Sequence, residues 1–289
     1  MDKKKLIVPI VTPFNDDQSV NYEELKRITR GLLDEGADGI FAGGSSAECF
    51  MLSEEERRKT LETVIEAADG AYVIAHVGSI GSALTEKLAK HAEQSGANAV
   101  ASVAPFYFGF SYENVRSYYF DLCDSVKIPT MIYYIPACAK GSLTPAQMAE
   151  IMNGRENITS VKYTDSDYFT MQRVKELTGK TVISGKDECF VSAIAMGADG
   201  AIGTTFNFLL GHYKKILSLF NQGKNAEALE VQKKANAIIA AMGCGDVFNT
   251  TKYLMSLRGY NAGTARKPFI PLTDEQKRTL SEAFGKNQI

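Results

Sequence analysis

The 289-residue chain carries 32 Lys and Arg against 34 Asp and Glu, a formal charge of -2. It has no cationic excess to neutralise nucleic-acid phosphates or anionic lipid, so no nucleic-acid or membrane partner is expected. With 45% hydrophobic and 23% charged residues the chain has ample apolar material for a large core, which excludes a disordered or collagen-like protein.

Taken in chain order, the first feature is a basic trio, Lys3, Lys4 and Lys5, ahead of the apolar run 6–11. The run is too short for a signal-peptide core and is followed at once by Pro13, Asp16 and Asp17, so it reads as a strand. Nowhere does a stretch approach the ~20 apolar residues of a membrane span. The five cysteines, Cys49, Cys123, Cys138, Cys189 and Cys244, are scattered and never form C-x-x-C. Reduced thiols and a cytoplasmic location are the expectation.

From there to about residue 222, short apolar runs alternate with helical patterns. Strands are predicted at 6–11, 39–43, 72–77, 99–103, 130–135, 159–162, 181–184 and 200–203. Most are apolar at both alternating sets of positions, as strands covered on both faces of a parallel sheet are. Between them the period becomes helical. Leu25, Ile28, Leu32 and Leu33 share one face, as do Leu61, Val64, Ile65 and Ala68. Ser53 with Glu56, and Thr144 with Gln147 behind Pro145, read as capping boxes that start helices.

Eight strand–helix pairs in this length predict an α/β fold, a closed (β/α)8 TIM barrel spanning residues 1–222. An open doubly wound sheet is the alternative. It would more often show a G-x-G-x-x-G turn after the first strand, where this chain has Thr12-Pro13-Phe14. Residues 223–289 lack strand runs. They predict helices at 226–242 and 247–257 and a last helix capped by Thr273 with Gln276, a C-terminal extension packed on the barrel.

In such a barrel the site lies at the C-terminal ends of the strands. Polar residues collect there: Gly43-Gly44-Ser45-Ser46-Ala47-Glu48, Tyr133-Tyr134-Ile135-Pro136-Ala137, Val161-Lys162-Tyr163-Thr164, Gly185-Lys186-Asp187-Glu188 and Gly203-Thr204-Thr205. Lys162 stands out. A lysine in a strand is ordinarily a solvated or edge residue, but a central barrel strand leaves it little water on either face. Period 2 puts Ser160 and Lys162 together, opposite Val161 and Tyr163. If the Ser160/Lys162 face looks inward, desolvation lowers the amine's pKa and makes it a nucleophile able to form a Schiff base with a ketone.

Tyr133 shares a face with Met131 and Ile135 on the adjacent strand, about 4.8 Å away, and so can present its phenol to that imine. A core tyrosine with its hydroxyl satisfied is the plainer reading of any single Tyr; the neighbour distinguishes this one. The Gly-Gly-Ser-Ser turn offers N–H groups and hydroxyls to a small carboxylate. With three histidines and none paired at ligand spacing, no metal is expected, and His76 reads as a hydrogen-bonded residue of the barrel mouth. Asp187 and Glu188 would repel a phosphate and suit a polyhydroxyl ligand.

These motifs, with Ala75-His76-Val77-Gly78, Pro105-Phe106-Tyr107 and Arg266-Lys267-Pro268-Phe269, resemble the N-acetylneuraminate lyase branch of the dihydrodipicolinate synthase superfamily across the whole barrel and in order. The resemblance implies a cofactor-free class I lyase acting on N-acetylneuraminate, pyruvate and N-acetylmannosamine, and a homotetramer built as a dimer of dimers. It implies that Lys162 forms the Schiff base. Tyr133 transfers the proton, relaying through the substrate carboxylate because a phenol is a poor base at neutral pH. Ser45 and Ser46 hold that carboxylate. Thr164, Gly185, Asp187, Glu188, Gly203 and Thr204 bind the sugar tail, and Tyr107 reaches the neighbouring subunit's relay.

Three positions depart from the family pattern. Ser46-Ala47 stands for the usual Thr-Gly, Tyr134 for Asn or His, and Thr204 for Ser. They bear on substrate preference. The nearest rival is a sibling such as dihydrodipicolinate synthase or another 2-oxo acid aldolase or dehydratase. The synthase has an Arg shortly after the strand-5 Pro, where this chain reads Ala137-Cys138-Ala139-Lys140. A rival of another class, a non-catalytic pyruvate or sugar sensor, would not need both Lys162 and Tyr133.

Overall fold

The computed structural model describes residues 4–139 and 141–289; Lys3 and Lys140 lie outside them. Eight parallel strands close into a barrel in sequence order: β1 Lys5–Pro9, β2 Gly39–Ala42, β3 Val73–His76, β4 Ala99–Val103, β5 Thr130–Tyr134, β6 Ile158–Tyr163, β7 Thr181–Ser184 and β8 Gly200–Ile202. β8 pairs back onto β1, with Lys5 opposite Gly200 and Ile7 opposite Ile202. All eight predicted strands are present, with ends shifted by a residue or two. The largest shift is in β1, which ends at Pro9: the Ile10 N–H still donates to the Phe41 carbonyl at 3.2 Å, and β2 ends at Ala42, where Gly43 turns at φ 68°.

Strand parity sorts the side chains into two layers, because successive residues point to opposite faces. Ile7, Phe41, Ile74, Ala101, Met131, Tyr133, Ile183 and Ile202, drawn from seven of the eight strands, form one buried cluster filling the barrel. Ile132, Tyr134, Val161, Tyr163 and Val182 belong to a second cluster, outside the barrel and against its helices. The inward set of β6 is Ser160 and Lys162, as their period predicts.

Among the described residues the helices are α1 Tyr22–Asp34, α2 Glu54–Ala68, α3 Ser82–Ser95, α4 Tyr112–Asp124, α5 Pro136–Ala139, α6 Pro145–Asn153, α7 Tyr168–Thr178, α8 Phe190–Ala195, α9 Phe206–Asn221, α10 Asn225–Met242, α11 Val247–Ser256 and α12 Asp274–Lys286. The capping boxes of α2, α6 and α12 form as the sequence predicts, each satisfying two free first-turn N–H groups. Ala228, Ala235 and Ile238 of α10, Leu254 and Met255 of α11 and Leu280 of α12 are buried in the same core as Leu25 and Ile28 of α1. None of the helices is long and apolar enough to cross a membrane.

Candidate active site

Lys162 and Tyr133 are paired neighbours on β6 and β5, both pointing into the barrel near its C-terminal end. Lys162 is 4% exposed, and its Nζ lies 4.0 Å from the centre of the Tyr133 ring and 4.5 Å from that of Phe41. The amine has little water, and two ring faces take part of water's place. Tyr133 packs edge-on against Phe41 and His76, each at 5.7 Å. Its hydroxyl is 3.4 Å from Ser45 Oγ, so one ligand oxygen to the side of the pair could meet both.

His76 holds the turn that carries this serine. Its Nδ1 is 2.8 Å from the Gly43 carbonyl oxygen and its Nε2 is 3.4 Å from the Val103 backbone nitrogen. Nδ1–H therefore donates to Gly43, and Nε2 accepts. Burial, with the Arg57 and Lys162 cations nearby, lowers its pKa to about 3, so the ring is neutral. It is the hydrogen-bonded mouth residue that the sequence suggested.

The turn itself is a short 3-10 segment, Ser45–Ala47. Ser46 Oγ lies 2.7 Å from Thr204 Oγ1, and Thr12 Oγ1 donates to the Ala47 carbonyl at 2.8 Å. Segments following β1, β2 and β8 are thus tied to one another through three hydroxyl groups and a carbonyl. Ala47 is fully buried, and Tyr134 points outward to stack on Tyr163, with ring centres 5.1 Å apart. A cavity of about 110 Å³ lies beside Tyr133, lined in part by Phe110, Tyr119, Ile135 and Leu143.

The two adjacent carboxylates after β7 have different surroundings. Asp187 is buried, and its Oδ2 accepts from the Thr205 N–H and from Thr205 Oγ1, both at 2.7 Å. Burial raises its pKa to about 6 despite those hydrogen bonds. Its Oδ1 faces Gly203 so closely that a Cβ there would sit 2.3 Å away. Glu188 has a side chain 40% exposed and pairs with Lys186 at 3.0 Å. Across from them, Thr164 Oγ1 is buried without a hydrogen-bond partner, and a Cβ at Gly185 would approach it to 2.0 Å. Both glycines are needed because side chains from neighbouring strands fill the space beside them.

Tyr107 lies elsewhere. It is 68% exposed on the loop between β4 and α4, at φ 77°, with its ring edge-on to Phe108. Sequence reasoning missed Phe41, whose ring faces the Lys162 ammonium, and Thr205, which fixes Asp187. The alternation of β2 could have flagged Phe41. Nothing in Gly203-Thr204-Thr205 says which threonine meets the carboxylate. Among the described residues, no group of three or more His, Cys, Asp or Glu is placed to hold a metal ion.

A buried amine beside a phenol and a hydroxyl-rich turn is equipped to bind a small keto acid and move its protons. The chain is similar to CdNal from Clostridium difficile, solved in complex with mannosamine, at 32% identity over 100% of both chains, with a TM-score of 0.95. It is similar to the N-acetylneuraminate lyase of Fusobacterium nucleatum at 31% identity over 99% of both chains, with a TM-score of 0.93. YagE from E. coli K12, a prophage protein of the dihydrodipicolinic acid synthase family solved in complex with pyruvate, matches at 26% identity over 99% of both chains, also with a TM-score of 0.93. Residues 2–286 match the Dihydrodipicolinate synthetase family, and the chain belongs to it.

Proposed function

We propose that the protein is a class I lyase that cleaves N-acetylneuraminate to N-acetylmannosamine and pyruvate. The observation that carries this reading is the Lys162 amine, enclosed in the barrel with the Tyr133 phenol and the Ser45 hydroxyl at its mouth. The Lys162 amine, once it has given up its proton, attacks C2 of the open-chain substrate, and loss of water gives the protonated imine. Tyr133, relaying through the substrate carboxylate, removes the proton of the C4 hydroxyl. The C3–C4 bond then breaks, its electron pair passes into the enamine, and the aldehyde of N-acetylmannosamine leaves. Protonation at C3 and addition of water release pyruvate and restore the amine.

Ser45 and Ser46 hold the carboxylate in this reading, and Thr164, Gly185, Asp187, Glu188, Gly203 and Thr204 meet the sugar tail. Two observations support the tail assignment. The unpartnered Thr164 Oγ1 is the kind of buried group that a ligand hydroxyl satisfies. Glu188, with a side chain 40% exposed beside the buried Asp187, extends outward where a ligand hydroxyl can meet it. That a C. difficile relative was solved in complex with mannosamine supports an amino sugar as the ligand class. The exposed Tyr107 ring packs with the exposed rings of Phe108 and, beyond it, Phe110, an apolar face suited to a second copy of the chain, in line with a homotetramer in which Tyr107 serves its neighbour's relay.

The second reading is a sibling 2-oxo acid aldolase or dehydratase using the same imine, dihydrodipicolinate synthase included, and the family match is what favours it. Borohydride with pyruvate tests what the two readings share: a reduced adduct at Lys162 is expected, and an unmodified Lys162 at saturating pyruvate rejects both. Pyruvate release from N-acetylneuraminate against a panel of other 2-oxo sugar acids separates them, and faster turnover of another substrate would overturn the first.

A further inference from the structure

Lys252 takes no part in the chemistry above, yet it is a buried lysine with a side chain 1% exposed, carried by α11 in the C-terminal extension. Its Nζ lies 2.6 Å from Oε1 of Glu48, whose side chain is completely buried. It also donates to the Thr264 carbonyl at 3.1 Å and sits 4.2 Å from the centre of the Phe14 ring. The other oxygen of Glu48 accepts the Arg266 backbone N–H at 2.7 Å. Both anchors of this carboxylate thus come from residues after 250, while Glu48 itself directly follows the Ser45–Ala47 turn.

Glu48 is also conformationally unusual. It adopts φ 54° and ψ 36°, the left-handed region that residues with a Cβ rarely occupy, and joins the turn Ser45–Ala47 to a second one, Cys49–Met51. The Glu48 N–H donates back to the Ser45 carbonyl at 2.9 Å, and the Met51 N–H donates to the Glu48 carbonyl at 2.8 Å. Such a backbone persists when its surroundings over-determine it. Here they do, since a carboxylate gripped on both oxygens cannot follow the turn if it relaxes. A buried ion pair is weak evidence of stability, because well-packed apolar residues serve as well, but it is directional.

We propose that Lys252 is a positioning residue for the candidate site: through Glu48 it sets the Ser45–Ser46 hydroxyls in register with Tyr133 and Thr204. This deepens the proposed function and rests on its assignment of that turn to the substrate carboxylate. The test is borohydride trapping at graded pyruvate. Half-saturation reports the turn, and the amplitude at saturation reports Lys162. A wild type that traps nothing defeats the functional reading, not this one.

In the Glu48→Gln/Lys252→Met double variant no buried charge is left unpaired. It should fold, keep the wild-type trapping amplitude, and need at least ten-fold more pyruvate for half-saturation. Glu48→Asp, which keeps the charge and shortens the reach, should raise half-saturation at least three-fold at the same amplitude. Wild-type half-saturation in either folded variant overturns the proposal. So does a double variant that cannot fold, because the pair would then serve the fold and not the turn.

Discussion

The two ends of the barrel interior are built on the same strands but differ in what faces inward. At the N-terminal end, Ile7, Ile74, Met131, Ser160 and Ile183 line a cavity of about 400 Å³, with Lys5 and Asp38 at its edge. Asp38 accepts the Leu6 backbone N–H at 2.9 Å, so its charge is used on the barrel's own main chain. At the C-terminal end stand Lys162 against two rings, a phenol near a serine, and a neutral imidazole. Ser160 and Lys162 are two residues apart on one face of one strand. Volume does not separate the ends, since a cavity of about 590 Å³ lies among the loops after β2, β3 and β4; the inward amine and its partners do.

The largest test of this contrast is Lys162→Ala, expected to lower turnover on the order of 10⁴-fold or more, as loss of a covalent nucleophile does. Steady-state kinetics with the preferred sugar acid reads it, and near-normal turnover would mean that the two ends do not differ as described. Tyr133→Phe keeps the ring beside Lys162 and removes only the proton-transfer group. A fall of roughly 10²- to 10⁴-fold in kcat is expected, with pyruvate trapping retained.

Acid sensitivity sharpens the comparison next, because His76 belongs to the mouth and no histidine lines the cavity at the other end. Folded His76 titrates at about 3, whereas a histidine in the unfolded chain titrates near 6.5. Between those values the unfolded chain holds the proton and the folded one does not. The stability associated with the neutral ring is therefore complete above pH ~6.5 and is lost as pH falls toward 3, by roughly 3 kcal/mol between pH 7 and 4. Asp187 acts in the opposite sense. Its folded value of about 6 exceeds the unfolded value near 4, so its contribution is present at low pH and is lost as pH rises through 6. Urea midpoints across this range should show a shallower acid decline in His76→Asn and a steeper one in Asp187→Asn. The same slope in all three proteins would contradict both assignments.

The smallest expected effect comes from the other end. Ser160→Ala should change stability by less than about 1 kcal/mol and leave turnover at the wild-type level. A large loss of activity there would erase the distinction between the two ends.

Much of this molecule was legible before its coordinates. The eight strands, the helix starts at Ser53, Thr144 and Thr273, and the inward direction of Lys162 and Tyr133 all follow from spacing along a few residues. Period 2, period 3.6 and a side chain's reach to a backbone N–H three residues away are local geometry, so a linear string records them. The site is legible to the extent that it hangs on those strands. The different environments of Asp187 and Glu188 are not, because adjacent residues with the same functional group carry no sign of which one Thr205 will bind.

The chain's own pattern therefore determined the barrel, the strands that carry the candidate chemistry, and the face on which the amine lies. Only the closed tertiary structure decided that Phe41 would face that amine, that Tyr107 would stand outside the single-chain site, and that Lys252 would meet Glu48 across 204 positions. The physical reason is that parity propagates from each residue to the next. A contact between distant segments exists only once β8 has paired with β1 and the last helices have packed on the barrel.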